Sequence, residues 1–211
     1  MRNKYKLIYL EGLPGVGKTT IVKTLREQYP NITIVDEIIN EKIFNNINLF
    51  QEMYFDNDDM KYASCKNVSV VDRGPISTLS YNQARKIIDK DFLFSFVDLY
   101  NWFEKYKEIY SSGDVLVIYL KRSNSNYFIP YDNKLDPYGC VENQNLLESL
   151  TLYNCKKYCK NFLIKSYDKQ NMEEIINEIV NQYLCTWWDN KSLYWSRNNG
   201  DKVYWANSIL L

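Results

Sequence analysis

Short apolar runs alternate along the chain with longer stretches in which apolar residues return every three or four positions. That alternation predicts an α/β domain with a five-stranded, mainly parallel sheet flanked by helices. The runs predict strands over residues 5–10, 32–36, 68–72, 114–120 and 162–167. The helical patterns cover 17–28, a broken stretch over 38–66, then 76–88, 91–111, 141–160 and 171–185. Asp89-Lys90-Asp91 punctuates two of these helices, and Ser111-Ser112-Gly113-Asp114 ends another. No internal repeat or low-complexity linker interrupts the pattern before about residue 186, so residues 1–185 are expected to form one domain.

Two segments depart from this rhythm. Residues 123–140, SNSNYFIPYDNKLDPYGC, carry turn formers without apolar periodicity, and a loop this long in a compact domain is functional or mobile more often than it is a plain insertion. The tail, residues 186–211, holds Trp187, Trp188, Trp195 and Trp205, leaving only Trp102 elsewhere. There SLYWSR and KVYWAN flank Asn198-Asn199-Gly200-Asp201, which reads as a β-hairpin with a glycine-containing turn. Packing on the chain's own domain is its ordinary use, and a contact within a homodimer is the alternative.

The chemistry begins directly after the first strand. Residues 12–19 read Gly-Leu-Pro-Gly-Val-Gly-Lys-Thr, a full match to the Walker A pattern G-x-x-x-x-G-K-[ST], and Thr20 follows. In that pattern Gly12, Leu13, Pro14, Gly15, Val16 and Gly17 present backbone N–H groups to a phosphate. Lys18 reaches the β/γ-phosphates, and the Thr19 hydroxyl can ligate Mg²⁺. The context supports the motif. Tyr5 to Leu10 is a compact apolar run before the loop, and Ile21, Val22 and Leu25 recur at helical spacing after it.

Composition narrows the alternatives. A chain of 211 residues fits one domain and can bury about 70% of its unfolded surface. Lys plus Arg and Asp plus Glu both number 26, so no net field points to nucleic acid or to an anionic membrane. No run approaches the roughly 20 apolar residues of a membrane span, and the N-terminal MRNKYKLIYLEG shows no cleavable signal, so a soluble, cytoplasmic protein is expected. Five cysteines in such a chain read as reduced thiols. Cys155 and Cys159 stand four apart on a predicted helix, but without any histidine a zinc site is a poor reading. The absence of histidine also removes every imidazole base, which leaves carboxylates, lysine, arginine and a metal to carry chemistry.

Open α/β sheets bind ligands at the carboxyl ends of their strands. Acidic residues stand at three such ends: Glu11, Asp36-Glu37 and Asp72. Strand-end acids often only cap turns. Beside a phosphate loop they instead supply what phosphoryl transfer requires, namely a metal-holding carboxylate, a group on the acceptor and a cation for developing charge. Asp72 with Arg73 offers the first and third, and Glu37 is placed for the second.

EGLPGVGKTT at 11–20 followed by DRGPISTLSYNQ at 72–83 resembles the thymidylate kinase and deoxynucleoside kinase group of P-loop kinases. Thymidylate kinases carry E-G-x-x-G-x-G-K-[ST]-T and then D-R-x-x-x-S-x-x-A-Y-Q. Asp72, Arg73, Ser77 and Tyr81 fall in register, with Ser80 in place of the alanine and Asn82 in place of the glutamine. The resemblance spans roughly residues 4–185 and implies a P-loop nucleoside/nucleotide kinase fold using ATP and Mg²⁺, with a lid at 123–140. It also implies a small-molecule nucleoside or nucleoside monophosphate as acceptor. Under it, Thr19 and Asp72 hold the metal directly or through water, Glu37 orients or deprotonates the acceptor, Arg73 neutralises the transferring phosphoryl or an acceptor phosphate, and Arg122 or Lys134 touches the phosphates from the lid. Residues 44–66 would wall the acceptor pocket, with Phe50, Gln51, Tyr54 and Phe55 against a base, although Phe50, Met53 and Tyr54 at helical spacing equally read as core. Tyr81 and Asn82 join that pocket by register.

The chain also departs from the family. Asp36-Glu37-Ile38 stands where thymidylate kinases carry Arg-Glu-Pro, closer to the lone glutamate of nucleoside kinases, and no arginine lies between Arg26 and Arg73 to grip an acceptor phosphate. Lys42, Lys61 or Lys66 could substitute as point charges. Another small-molecule alcohol, such as an antibiotic, is an alternative acceptor on the same fold. A regulatory GTPase is the rival class, because Asn133-Lys134-Leu135-Asp136 spells N-K-x-D. That motif stands about a dozen residues beyond its strand, and Asp72-Arg73-Gly74 falls one residue short of D-x-x-G, so a chance match is the better reading.

Overall fold

The run LIYLE becomes a fully buried central strand because its side chains alternate between two apolar layers. In the computed structural model, which describes residues 5–44, 51–66, 68–92, 95–123, 138, 140–168 and 170–184, β1 (Leu7–Glu11) lies between β3 (Ser69–Asp72) and β4 (Val115–Arg122). Outside these stand β2 (Thr33–Val35) and β5 (Phe162–Tyr167), giving the order β2-β3-β1-β4-β5 with every pairing parallel. The register sets Leu10 beside Asp72 and Glu11 beside Tyr119, so the strand ends that carry chemistry lie at one level.

Ile8 and Leu10 face one layer with Val70, Leu116, Ile118 and Leu120. There they meet Ile21, Val22 and Leu25 of α1 (Lys18–Gln28) and Ile175 and Ile176 of α7 (Met172–Glu178). Leu7 and Tyr9 face the opposite layer with Val71, Val115 and Val117. This second layer is closed by Phe55 of α3 (Gln51–Ser64), by Ile76 and Leu79 of α4 (Pro75–Ile88), and by Leu99, Phe103, Tyr106 and Tyr110 of α5 (Phe96–Ser111). Each fully buried side chain of this size contributes about 1.5–3 kcal/mol relative to exposure. The remaining helices are α2 (Glu41–Phe44) and α6 (Val141–Tyr158), the latter packed along α4.

The connection after β1 thus runs over one face of the sheet and the connection after β3 over the other. A crevice opens between their carboxyl ends, which is where open sheets place ligands.

Element boundaries moved where local chemistry outweighed periodicity. The helix expected over 91–111 begins at Phe96, because the Ser95 hydroxyl accepts the N–H of Asp98 at 3.1 Å and caps it. The helix expected over 171–185 is α-helical only to Glu178 and widens into a π-helical turn over Ile179–Tyr183. At the end of this turn the Tyr183 carbonyl accepts the N–H of Tyr5 at 3.1 Å, tying the turn to the start of the sheet. β1 extends to Glu11, so this acid is the last residue of the strand rather than the first beyond it. No helix among the described residues is long and apolar enough to cross a membrane. The predicted hairpin of the tail and nearly all of the predicted lid lie outside the described residues, as do Phe50 and the Asn133–Asp136 motif.

Candidate active site

From Glu11 the chain turns through Gly12, Gly15 and Gly17, whose φ angles are 142°, 68° and 109°. These are left-handed values that residues with a Cβ rarely adopt. At Gly12 a Cβ would also stand 2.6 Å from the Leu120 carbonyl oxygen, so the loop hugs the end of β4. The Lys18 ammonium lies curled inside the turn, donating to the carbonyls of Gly12 at 3.0 Å and Leu13 at 2.9 Å. Burial, together with the nearby Arg73 guanidinium, brings its pKa down to about 7, against the upward pull of Asp72, Glu37 and Glu11. Val16 is part of the apolar core, so it contributes only backbone to the cradle. Leu13 packs beside Ala84 and Leu147, and Thr19 and Thr20 line the crevice. Arg122, expected to touch phosphate, donates from Nη2 to the Pro14 carbonyl of the loop at 2.7 Å.

The Thr19 hydroxyl donates to Asp72 Oδ2 at 3.1 Å, while Asp72 Oδ1 is buried without a hydrogen-bond partner. Burial raises the pKa of this carboxyl against the opposing charge of Lys18. An orphaned carboxylate oxygen beside a hydroxyl suits a hard cation such as Mg²⁺, which takes one or two protein oxygens and completes its shell with water and phosphate. No group of three or more metal-ligating side chains occurs among the described residues. The cysteines that are described are free thiols, with Cys155 buried and Cys140 exposed.

Arg73 is the one non-glycine residue with positive φ among the described residues, at 60°. Backbone held in this region commonly marks a functional site. The twist turns the Arg73 guanidinium into the crevice, where Nε pairs with Glu37 Oε1 at 2.8 Å and the charge lies 5.1 Å from the Tyr81 ring centroid. Burial acts to raise the Glu37 pKa, but Arg73, then Lys18 and Lys61, outweigh it and hold the carboxyl below its ordinary value. Gly74 follows, and a Cβ there would lie 2.4 Å from the Tyr9 ring, so any other residue would force its neighbours to shift. Its N–H donates to Glu11 Oε1 at 2.9 Å, and the Ser77 hydroxyl donates to Glu11 Oε2. Burial lifts the fully enclosed Glu11 carboxyl to about 7, although Ser77, Arg73, Gly74 and Lys61 all act to lower it.

Helix α3 supplies functional residues that the sequence reading missed or placed only loosely. Lys61, considered earlier as a point charge for a phosphate, donates to the Asp72 carbonyl at 2.9 Å and pairs with Asp58 at 3.4 Å, both side chains being almost fully buried. Asp58 also accepts the Thr78 hydroxyl at 2.6 Å. The available signal was Asp58 and Lys61 at i, i+3 on a helix whose neighbouring Phe55 is apolar. Lys42 and Lys66 are exposed and stand away from the crevice wall. Phe55, expected against a base, instead stacks on Trp102 in the core at 4.4 Å between ring centroids.

These parts enclose a cavity of about 680 Å³, a size that suits a small molecule. The phosphate loop forms one end. The other is walled by Gln51, Tyr54, Thr78, Tyr81 and Asn82, closed by Tyr138 and flanked by Arg85, which lies over the Phe92 ring at 4.2 Å. Asn82 is held by a bond from its Nδ2 to the Thr78 carbonyl at 2.8 Å, and the Gln51 Nε2 is buried without a partner. The Tyr138 hydroxyl donates to the Tyr81 carbonyl at 2.7 Å. Arg85 went unremarked in the sequence, although it stands one turn beyond Tyr81 and Asn82 on α4.

No protein-family model matches the chain, and no curated protein matches it by sequence. Solved structures do resemble it in fold. Thymidylate kinase from Candida albicans aligns at TM-score 0.54 with 15% identity, covering 86% of this chain and 97% of that one. Deoxyadenosine kinase from M. mycoides with bound dATP aligns at TM-score 0.53 with 17% identity, over 83% and 100% of the two chains. YorR from Bacillus subtilis, in complex with phosphorylated GDP, aligns at TM-score 0.52 with 19% identity, over 82% and 93%. The chain therefore has the fold of P-loop kinases, an α/β architecture with a five-stranded parallel sheet between helices.

Proposed function

We propose that the protein is an ATP- and Mg²⁺-dependent kinase acting on a nucleoside-type acceptor, and that an unphosphorylated nucleoside fits it better than a monophosphate. The ion pair between Glu37 and Arg73, facing the phosphate loop across the cavity, carries this reading. In the acceptor half, Arg73 is matched by Glu37 and Lys61 by Asp58. A monophosphate would bring about two negative charges to Arg73 and Lys61, both already paired with carboxylates, leaving Arg85, which lies over Phe92, to meet them, and it would have to displace Glu37 to reach Arg73. A neutral hydroxyl needs only to accept or donate a hydrogen bond beside the pair. The flat, partly polar wall of Tyr54, Tyr81 and Asn82, with the unpartnered Gln51 amide, suits a heterocyclic base.

The roles follow from chemistry. The backbone turn from Gly12 to Gly17 cradles the nucleotide phosphates, and Lys18 exchanges its two carbonyl partners for phosphate oxygens, which favours its charged form. Thr19 and Asp72 would hold Mg²⁺, which would supply charge neutralisation on those phosphates. Glu37, kept ionised by Arg73, accepts a hydrogen bond from the acceptor hydroxyl and aligns it. As that oxygen bonds to the γ-phosphorus, the bond to the β–γ bridging oxygen breaks and ADP leaves. The hydroxyl proton passes towards Glu37, and Arg73 and Lys18 stabilise the equatorial oxygens.

The test is a panel of deoxynucleosides and their monophosphates, scored by acceptor-dependent ADP formation. Phosphorylation of at least one nucleoside, faster than of its monophosphate, is expected. Activity on monophosphates alone would overturn the charge argument, and activity on neither would move the acceptor to another small alcohol.

A further inference from the structure

We infer that Asn57 is a positioning residue that sets Glu37 against Arg73. The inference rests on the role given to Glu37 above, but its geometry is independent of the acceptor.

Glu37 lies in neither helix nor strand. It follows β2, a three-residue strand at the edge of the sheet, and precedes α2, a helix of a single turn. Neither neighbour can hold its backbone rigidly, and the Glu37 side chain is 45% exposed, so packing does not fix it either. One amide does. Asn57, on the inner face of α3 and 3% exposed, accepts at Oδ1 from the N–H of Ile39 at 2.9 Å and of Asn40 at 3.0 Å. Its Nδ2 donates to the carbonyl of Glu37 at 3.0 Å.

The segment from Glu37 to Asn40 is therefore wrapped around the end of a single side chain. Two backbone donors and one backbone acceptor also settle which end of the amide is oxygen. Asn40 reinforces the wrap through its bond to the Met53 carbonyl at 3.3 Å. The same helix carries Lys61 on the Asp72 carbonyl, one turn further along, so α3 fixes the distance between Glu37 and the Asp72-Arg73 strand end.

Apolar, shorter or acidic side chains at this position supply less. Leucine has similar volume and no polar atom. Serine keeps one acceptor on a shorter arm. Aspartate would set a carboxylate against the Glu37 carbonyl.

The experiment reads Glu37 directly. Carboxyl carbons of the full chain are labelled and titrated by NMR, with Glu37→Gln used to assign the Glu37 signal. In the natural protein the Glu37 carboxyl titrates below the ordinary glutamate range, through Arg73. In Asn57→Leu, with the amide spectrum otherwise retained, its titration moves up towards the ordinary value. Asn57→Ser gives a smaller move and serves if the leucine variant does not fold. An unchanged Glu37 titration in a folded variant overturns the inference.

Kinetics on the acceptor found by the panel separates the inference from the reading beneath it. Asn57→Leu is expected to lower kcat roughly ten- to hundredfold, with little change in the KM for ATP. In the Glu37→Gln background it is expected to cost almost nothing more. Losses that multiply would show that Asn57 acts elsewhere and overturn the inference while Glu37 keeps its role. Full activity in Glu37→Gln would overturn both.

Discussion

The phosphate loop and the acceptor wall meet in one cavity, yet they are built by different means. The loop is one run of residues, Gly12 to Thr20, its backbone shaped by three left-handed glycines, and under the proposal above it would meet phosphate mostly through that backbone. The wall gathers side chains from the segment after β2, α3 and α4, held by partners distant in sequence such as Asn57 to Glu37 and Lys61 to Asp72, with the enclosed Glu11 of β1 bracing Gly74 and Ser77 behind it. A phosphate presents the same oxygens in every nucleotide, so a local turn suffices to bind it. An acceptor has its own shape and charge, so its pocket must be assembled from several elements whose relative placement sets the fit. The first region should therefore fail all at once when a single group is removed, and the second should fail by degrees.

The largest effect is expected at Lys18. Lys18→Ala removes the loop's only side-chain cation, and a kcat loss of about a thousandfold is expected with the circular dichroism spectrum unchanged, since oxyanion-stabilising donors are worth roughly 10²–10³ or more. Turnover within tenfold of the natural protein would break the comparison, because the loop would then not carry catalysis.

Glu11 sharpens it from the other side. Its carboxyl holds a proton in the folded chain up to about pH 7 that the unfolded chain releases near 4.5. The folded state thus binds more protons between those values, and stability falls as pH rises through that window and then levels off. Glu11→Gln keeps the partners of Gly74 and Ser77 without the titration. Urea denaturation at pH 5 and pH 7.5 should show a stability decrease in the natural protein that the variant lacks, on the order of 3 kcal/mol at most for a shift of this size. Equal pH dependence in both proteins would remove Glu11 from the account.

Gly74 gives the smallest effect and the most local one. Gly74→Ala forces a methyl group against the Tyr9 ring and the Tyr110 hydroxyl. A loss of about 1–3 kcal/mol is expected, read as a fall in Tm of a few degrees. ATP binding measured by calorimetry should change less than turnover, because the displaced strand end carries Arg73. An ATP affinity that falls as far as kcat would show that the two regions are not separable.

Glu11 marks the boundary between what was legible and what was not. As a strand-end acid it was visible in the sequence, together with the five strands, the phosphate loop and the DR segment, because each is a local pattern: apolar alternation buries a strand, and glycine spacing bends a turn. That Glu11 is enclosed and braces Gly74 and Ser77 depended on β1 lying next to β3. The same holds for the left-handed turn at Arg73, the pairing of Arg73 with Glu37, the departure of Phe55 into the core, and the entry of Asn57, Asp58 and Lys61 into the wall. Asn57 reads in sequence as an ordinary polar residue on a helix. By itself, then, the sequence determined the sheet and the phosphate cradle, since both follow from contacts between residues near in the chain or from their burial period. Only the tertiary structure decided which charges face the acceptor and which partners neutralise them, because hydrogen bonds and ion pairs are fixed at ångström distances that only the packing of separate elements can set.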